Sequence, residues 1–263
     1  MTSGRVQRIW RFVALPLLLI AIWQIAVSHY VPASSLAPTP TGVIRGFVEL
    51  LTSGELLAAL EQSLLRIAFG FTFALALAIV IAVLVATWKP FAYMVDPILE
   101  TFRPIAPIAW VPMAILWFGT GTYAAIFIVA YAAFFPIYVN TLAGVRNIDR
   151  GLLNAAKTLG ARPTFIARAV IIPAALPSII LGARLGMGLA WAAIIAAEMT
   201  VGSKAGGGGS GGIGQMMFVF LLYRLDLRYI VVGMISIGLV ALLIDAIFQL
   251  IGRRVSPWLN RGN

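Results

Sequence analysis

The chain has 263 residues, of which 61% are hydrophobic and 11% charged, with a mean hydropathy of +0.99, a formal charge of +10 and no cysteine. A soluble domain is close to half apolar, so this composition excludes an ordinary water-soluble core and requires lipid as part of the solvent. The missing cysteines exclude a disulfide framework and a thiolate metal site. The basic residues lie between apolar runs, so the positive charge reports membrane topology and gives no reason to expect nucleic acid as a partner.

Apolar segments recur from end to end, which predicts one all-α integral membrane domain over 1–263. A spanning helix needs roughly 20 apolar residues. Six segments qualify, at 12–29, 66–87, 100–118, 122–144, 174–200 and 229–251. The first follows Arg5, Arg8 and Arg11 like a signal peptide, but Ser28-His29-Tyr30-Val31-Pro32 makes a poor cleavage site, so a retained helix is expected. Between the first two spans, Ile44, Phe47, Val48 and Leu51 fall at helical spacing and predict a short amphipathic helix at an interface. Pro104, Pro107 and Pro112 break the third span, and the carbonyls they free must bond elsewhere.

Between the fourth and fifth spans, residues 145–173 hold Arg146, Arg150, Lys157, Arg162 and Arg168. They predict two short helices, Leu152 to Leu159 and Thr164 to Ile172, meeting at Gly160, with Pro163 and Thr164 opening the second and Pro173 closing it. If the N-terminus is cytoplasmic, these residues fall inside with Lys89, Arg253, Arg254 and Arg261. Only Arg45, Lys204, Arg224 and Arg228 then lie clearly outside. Both termini are therefore expected in the cytoplasm.

Before the last span come Gly202-Ser203-Lys204 and the run Gly206 to Gly209 with Ser210, Gly211 and Gly212. None of it has the order of a nucleotide-binding P-loop, so ATP hydrolysis is not expected in this chain. With His29 as the only histidine there is little for nucleophilic or zinc chemistry, and no catalytic or metal site is expected. Glu198 and Asp245 are the acids set deepest in apolar sequence, and each is either a pathway group or a structural one that pairs with a nearby Arg or sits close to an interface; Arg103, near a helix end, either pairs with an acid such as Glu100 or attracts an anion. Gly182, Gly186 and Gly188 favour close helix packing. Trp110, Trp117 and Trp191 can line a pathway or pack inside it. The third and fifth spans are expected to border a translocation pathway, with Arg103, Trp110, Met113, Ala190, Ile194 and Glu198 as its candidate residues.

The hairpin reads Asn154-Ala155-Ala156, three residues, Gly160, nine residues, Val170, one residue, Ile172 and Pro173. This resembles the EAA loop of binding-protein-dependent ABC importer permeases, with Asn154 where that pattern has Glu. The stretches Asp96-Pro97-Ile98-Leu99-Glu100, Arg103-Pro104-Ile105-Ala106-Pro107-Ile108-Ala109-Trp110-Val111-Pro112, Ala196-Ala197-Glu198-Met199, Gly212-Ile213-Gly214 and Arg253-Arg254-Val255-Ser256-Pro257-Trp258 are similar to the nitrate, sulfonate and taurine subfamily. The resemblance implies a type I ABC importer permease fold with about six transmembrane helices and a cytoplasmic coupling-helix loop at 145–173. Asn154, Ala155, Ala156, Gly160, Ala161, Phe165 and Pro173 would contact the ATPase. It also implies a bacterial inner-membrane location, a homodimer in a lipid bilayer, two ATPase subunits carrying ATP-Mg and a soluble binding protein. That protein would deliver a small solute such as a sulfonate, taurine or nitrate. The rival reading is an ion-coupled secondary transporter, for which the chain lacks a clear internal repeat and has few buried acids.

Overall fold

A computed structural model describes residues 3–30, 37–201 and 211–255. In chain order the helices are α1 (Ser3–Tyr30), α2 (Pro40–Thr52), α3 (Glu55–Thr87), α4 (Lys89–Phe102), α5 (Val111–Phe118, preceded by a 3-10 turn at Pro107–Trp110), α6 (Thr122–Arg146), α7 (Arg150–Thr158), α8 (Pro163–Ile166), α9 (Ile172–Val201), α10 (Ile213–Val219) and α11 (Leu227–Val255). No strand occurs among the described residues.

Among the described residues, four helical stretches are long and apolar enough to cross a membrane: Glu55–Thr87, Thr122–Arg146, Pro163–Thr200 and Leu227–Gly252. The expected third span, 100–118, is not a straight helix. It is the second part of a pair, Lys89–Phe102 and Pro107–Phe118, bent by 93°. Pro104 and Pro107 lack the backbone donors that would carry a helix through the bend. Counting the pair as one broken span makes five crossings. The expected first span falls in α1, a helix of 28 residues in which Leu15, Leu17, Leu18 and Leu19 face outward.

The bundle is organised around α6, which packs against α3 on one side and α9 on the other. Small residues permit this. On α3, Ile67, Phe71, Ala74, Ala78, Ala82 and Val85 form the buried stripe, whereas Phe69, Phe73, Leu77 and Val80 point away. A Cβ placed on Gly70 would sit 2.7 Å from the Ile126 carbonyl oxygen, and one on Gly186 would sit 2.9 Å from that of Ala133. In lipid, helices gain little from apolar burial alone, and close backbone approach supplies the dispersion contacts that hold them together. Gly182 and Gly186 serve this crossing; Gly188 faces open space.

Helix α2 forms, with Pro40 in its first turn and the Thr39 hydroxyl accepting from the Gly42 N–H at 3.1 Å. Its buried face is Val43, Gly46 and Leu50 against α11, and Ile44, Val48 and Leu51 are exposed on the other side. One local expectation changes. Pro173 was expected to end a helix at Ile172, yet the chain stays helical from Pro163 to Thr200. A π segment at Ala167–Ile171 makes this possible: the Ile172 N–H bonds the Ala167 carbonyl, one residue further back than in an α-helix. The wider turn accommodates a proline that cannot donate to the preceding turn.

Candidate functional site

Three features carry the chemistry, and the hairpin at 145–173 is the first. The Asp149 carboxylate accepts from the Gly151 N–H at 2.8 Å and starts α7. The helix ends in a paired C-terminal cap, Gly160 N–H to the Lys157 carbonyl at 2.9 Å and Ala161 N–H to the Ala156 carbonyl at 3.1 Å. Gly160 holds φ +73°, which an L side chain resists. Pro163 takes the first position of α8, and Thr164 supplies no cap bond. Ile166 is buried with Val145, Ile171, Ala175 and Ile179, and Ala156 and Ala161 pack against that cluster. This anchors the hairpin to the ends of α3, α6 and α9. Ala156 and Ala161 thus face the bundle, while Asn154, Ala155, Gly160, Phe165 and Pro173 are exposed. Leu159 is 86% exposed and Phe165 61%, beside exposed Leu152.

The second feature is a cavity of about 860 Å³ between the α4–α5 bend, α6, α9 and α11. Arg103, Ile105 and Pro107 form its wall at the bend; Leu181, Arg184, Leu185, Gly188 and Leu189 come from α9, and Asp245 from α11. Arg184 and Asp245 form a two-pronged ion pair, Nε to Oδ1 at 2.5 Å and Nη2 to Oδ2 at 2.9 Å, and the Gln249 amide donates to Oδ2 at 2.8 Å. Of the two expectations for Asp245, a pathway group or one half of an ion pair, the structure shows the ion pair, which lies well inside α9 and α11. Arg103 lies within ion-pair distance of no carboxylate among the described residues. Its chain neighbour Glu100 lines an adjoining cleft with Asp96, which takes the Tyr138 hydroxyl at 2.7 Å and Arg146 at 3.5 Å.

Of the residues expected to border a pathway, Arg103 lines this cavity; the others lie elsewhere. Ala190 and Ile194 are 0% exposed, on the side of α9 that packs into the core. Trp110 is half-buried in an aromatic group with Phe102, Trp117, Phe127 and Tyr131. Met113 is exposed outside the cavity lining, and Trp191 is buried with its indole donating to the Ile237 carbonyl at 3.2 Å.

Glu198 belongs to the third feature, a buried clamp. It is 1% exposed and pairs with Arg66, 2% exposed, at 2.8 Å. The Ser63 hydroxyl lies 2.8 Å from each carboxylate oxygen, and the Gly214 N–H donates to Oε2 at 3.0 Å. Ser63 in turn accepts from the Ile213 N–H at 3.0 Å, and Arg66 donates to the Gly211 carbonyl at 2.8 Å. The start of α10 therefore lies over the carboxylate, with the positive end of its backbone dipoles toward it. A Cβ on Gly212 would overlap the Glu198 carboxyl, and one on Gly214 would sit 2.5 Å from the Ile195 carbonyl oxygen. The Gly-Ile-Gly pattern is thus a steric requirement of the clamp. Gly206 to Ser210 lie outside the described residues.

Among the described residues no three His, Asp or Glu side chains are grouped to hold a metal. Residues 75–261 match the family described as binding-protein-dependent transport system inner membrane component. A putative ABC transporter permease of Methanocaldococcus jannaschii is 36% identical over 251 residues, covering 94% of this chain and 91% of that protein. A putative aliphatic sulfonates transport permease of Bacillus subtilis is 34% identical, covering 94% and 86%. The bicarbonate transport system permease of Synechococcus elongatus is 37% identical over 76% of this chain and 66% of its own length. Among solved structures, an inward-facing form of the MetNI methionine ABC transporter superposes with a TM-score of 0.62 at 21% identity, covering 76% of this chain and 95% of that one. The fold is shared with that structure.

Proposed function

The chain belongs to the family of binding-protein-dependent transport system inner membrane components and is a multi-pass permease subunit of an ABC importer; from that premise we propose how its residues divide the work. Two copies of the chain pair to enclose the pathway. The hairpin around α7 and α8 docks in a groove of an ATPase subunit, one per copy, and ATP-Mg is bound and hydrolysed there. A soluble binding protein delivers a small solute to the opposite face. Both termini lie on the ATPase side, as the distribution of Lys and Arg indicates. Alternating access follows: closure of the ATPase pair drags the hairpins, and the helices around the cavity rock to open it on one side or the other.

The observation that carries this reading is the exposed apolar pair Leu159 and Phe165 beside the Gly160 turn. Burying one such side chain contributes about 1.5–3 kcal/mol, so leaving both in water on a charged hairpin is economical only when a partner covers them. Asn154 lies on the exposed side of the hairpin, where a side-chain contact with the ATPase is available to it. The pathway residues follow the cavity: Arg103 remains, and Leu181, Leu185 and Leu189 replace Ala190, Ile194 and Glu198.

The test uses Leu159→Cys in a chain that has no cysteine of its own. In the assembled importer it should crosslink to a cysteine in the ATPase groove, and impermeant thiol reagents should reach it only from the cytoplasmic side. Labelling from the outer side alone would invert the topology and overturn the docking assignment.

A further inference from the structure

We propose that the groove between the start of α3 and α10 holds a phospholipid whose headgroup carries a primary ammonium, an ethanolamine lipid of the leaflet opposite the hairpin. The Gln215 side-chain oxygen accepts from the ammonium, and the acyl chains lie down the exposed face of α3. Such a site requires that the chain span a membrane and is independent of the solute it carries.

The groove encloses about 600 Å³ between Glu55, Ala58 and Gln62 on α3 and Gln215, Val219 and Arg224 on α10 and the π turn that follows it. Gln215 is 7% exposed, and its amide oxygen is buried with no hydrogen-bond partner among the described residues. The backbone acceptors beside it are engaged. The Gly211 carbonyl takes Arg66 at 2.8 Å, and the Gly212 carbonyl takes the Met216 N–H at 2.9 Å. A buried amide oxygen left unpaired forfeits the bonds that water would give it, so it marks a place where a donor arrives from outside the fold. At the far end of the groove Glu55 and Arg224 pair loosely at 3.7 Å, both about half exposed, and the Arg224 guanidinium lies 5.0 Å over the Phe220 ring. The two charges cancel, so the wall favours a headgroup without net charge. The free acceptor requires that headgroup to carry an N–H or O–H.

The level of the groove in the membrane identifies the ligand as a lipid. From Ile67 to Thr87 α3 has no charged residue, and at 1.5 Å per residue this stretch matches a hydrocarbon core of roughly 30 Å. Arg66 then marks one boundary, and Gln62, one turn further out, lies in the headgroup layer. The hairpin packs near the other end of α3, against Val83 and Ala86, so the groove belongs to the opposite leaflet. On the hydrocarbon side of Gln62 the same face of α3 continues as Leu65, Phe69 and Phe73, all exposed. A lipid whose chains cover these three residues brings its headgroup to Gln62 and Gln215. Phosphatidylcholine has the same net charge and chains but no N–H. Phosphatidylethanolamine supplies the donor that Gln215 lacks.

The experiment is a competition between these two lipids. The assembled importer is exchanged into nanodiscs holding equal parts of phosphatidylethanolamine and phosphatidylcholine, and the lipids it retains are identified by native mass spectrometry. The expected result is about tenfold enrichment of the ethanolamine lipid, the worth of one hydrogen bond from a charged donor. Gln215→Leu should bring the ratio close to one, whereas Gln215→Glu keeps an acceptor and keeps the enrichment. Stepwise N-methylation of the headgroup should preserve retention until the last N–H is replaced. A ratio near one for the unaltered chain gives the groove to water or to the soluble binding protein, and overturns the assignment. So does enrichment that persists in Gln215→Leu, because the lipid is then held elsewhere. Displacement by phosphatidylglycerol would overturn the choice of headgroup, and displacement by glycerophosphoethanolamine, which lacks the chains, would make the ligand a soluble one. If Gln215→Leu fails to assemble, the methylation series on the unaltered chain decides, and equal retention across it overturns the site. A ratio near one with an intact Leu159→Cys crosslink removes the lipid and leaves the permease reading standing.

Discussion

Glu198→Ala should destabilise the subunit more than any change on its lipid-facing surface. The substitution removes the carboxylate that balances Arg66 at a site where the two side chains are 1% and 2% exposed. It also removes the acceptor for the Ser63 hydroxyl and the Gly214 N–H. Breaking a buried pair by deleting one partner costs about 3–5 kcal/mol, because a charge stays behind in a medium of low dielectric. The double change Arg66→Met with Glu198→Leu removes both charges and keeps volume. It leaves the Gly214 N–H and the Ser63 hydroxyl without the carboxylate and the Gly211 carbonyl without its Arg66 donor, each about 1–3 kcal/mol when nothing replaces the lost bond. Glu198→Ala leaves the first two as well and a buried charge besides, so the double variant should be the more stable of the two. The assay is reversible unfolding of the purified subunit in mixed micelles, with Arg66→Met, Glu198→Leu and the double change closing a thermodynamic cycle. Additive losses, with the double variant worse than either single one, would refute the claim that the two charges act as one unit.

Three other outcomes follow from the geometry. Gly160→Pro cannot adopt φ +73° and loses its bond to Lys157, and Phe165→Asp puts a charge on the docking face. Either change should abolish solute-stimulated ATP hydrolysis in the assembled importer while membrane insertion is normal, and unchanged stimulation would count against hairpin docking. Leu189→Cys should react with small aqueous thiol reagents and Ile194→Cys should not, since one lines the cavity and the other is fully buried; the reverse order would put the pathway on the other side of α9. Gly186→Leu should lower stability by at least about 1–3 kcal/mol in the same unfolding assay, because its Cβ alone would press on the Ala133 carbonyl.

The errors of the sequence reading share one physical cause. Hydropathy located α3, α6, α9 and α11 because lipid demands a continuous apolar run, and a run is visible without knowing which way it faces. Facing is another matter. In a water-soluble helix the large apolar residues mark the inside, yet on α2 Ile44, Val48 and Leu51 are exposed. In lipid both sides of a helix can be apolar, so periodicity of size replaces periodicity of hydropathy. The inside is marked by the small residues, as with Ala74, Ala78 and Ala82 on α3 or Gly182 and Gly186 on α9. Ala190 permits close packing, as small residues do, while the cavity is walled by Leu181, Leu185 and Leu189.

Charges obey a similar rule. A lone acid in an apolar run reads as a pathway group, yet the partners of Glu198 lie 135 and 132 residues away at Ser63 and Arg66. No local pattern announces such pairing, although Gly212-Ile213-Gly214 is the trace that it leaves. The turn at Gly160 was legible because it is closed by bonds within a few residues. What distinguishes the functional charge from the structural ones is therefore a tertiary fact, the partner it lacks. By that measure Glu198 and Asp245 are accounted for within the chain, while Arg103 lines the cavity and the adjoining cleft with no carboxylate within 4 Å of it among the described residues.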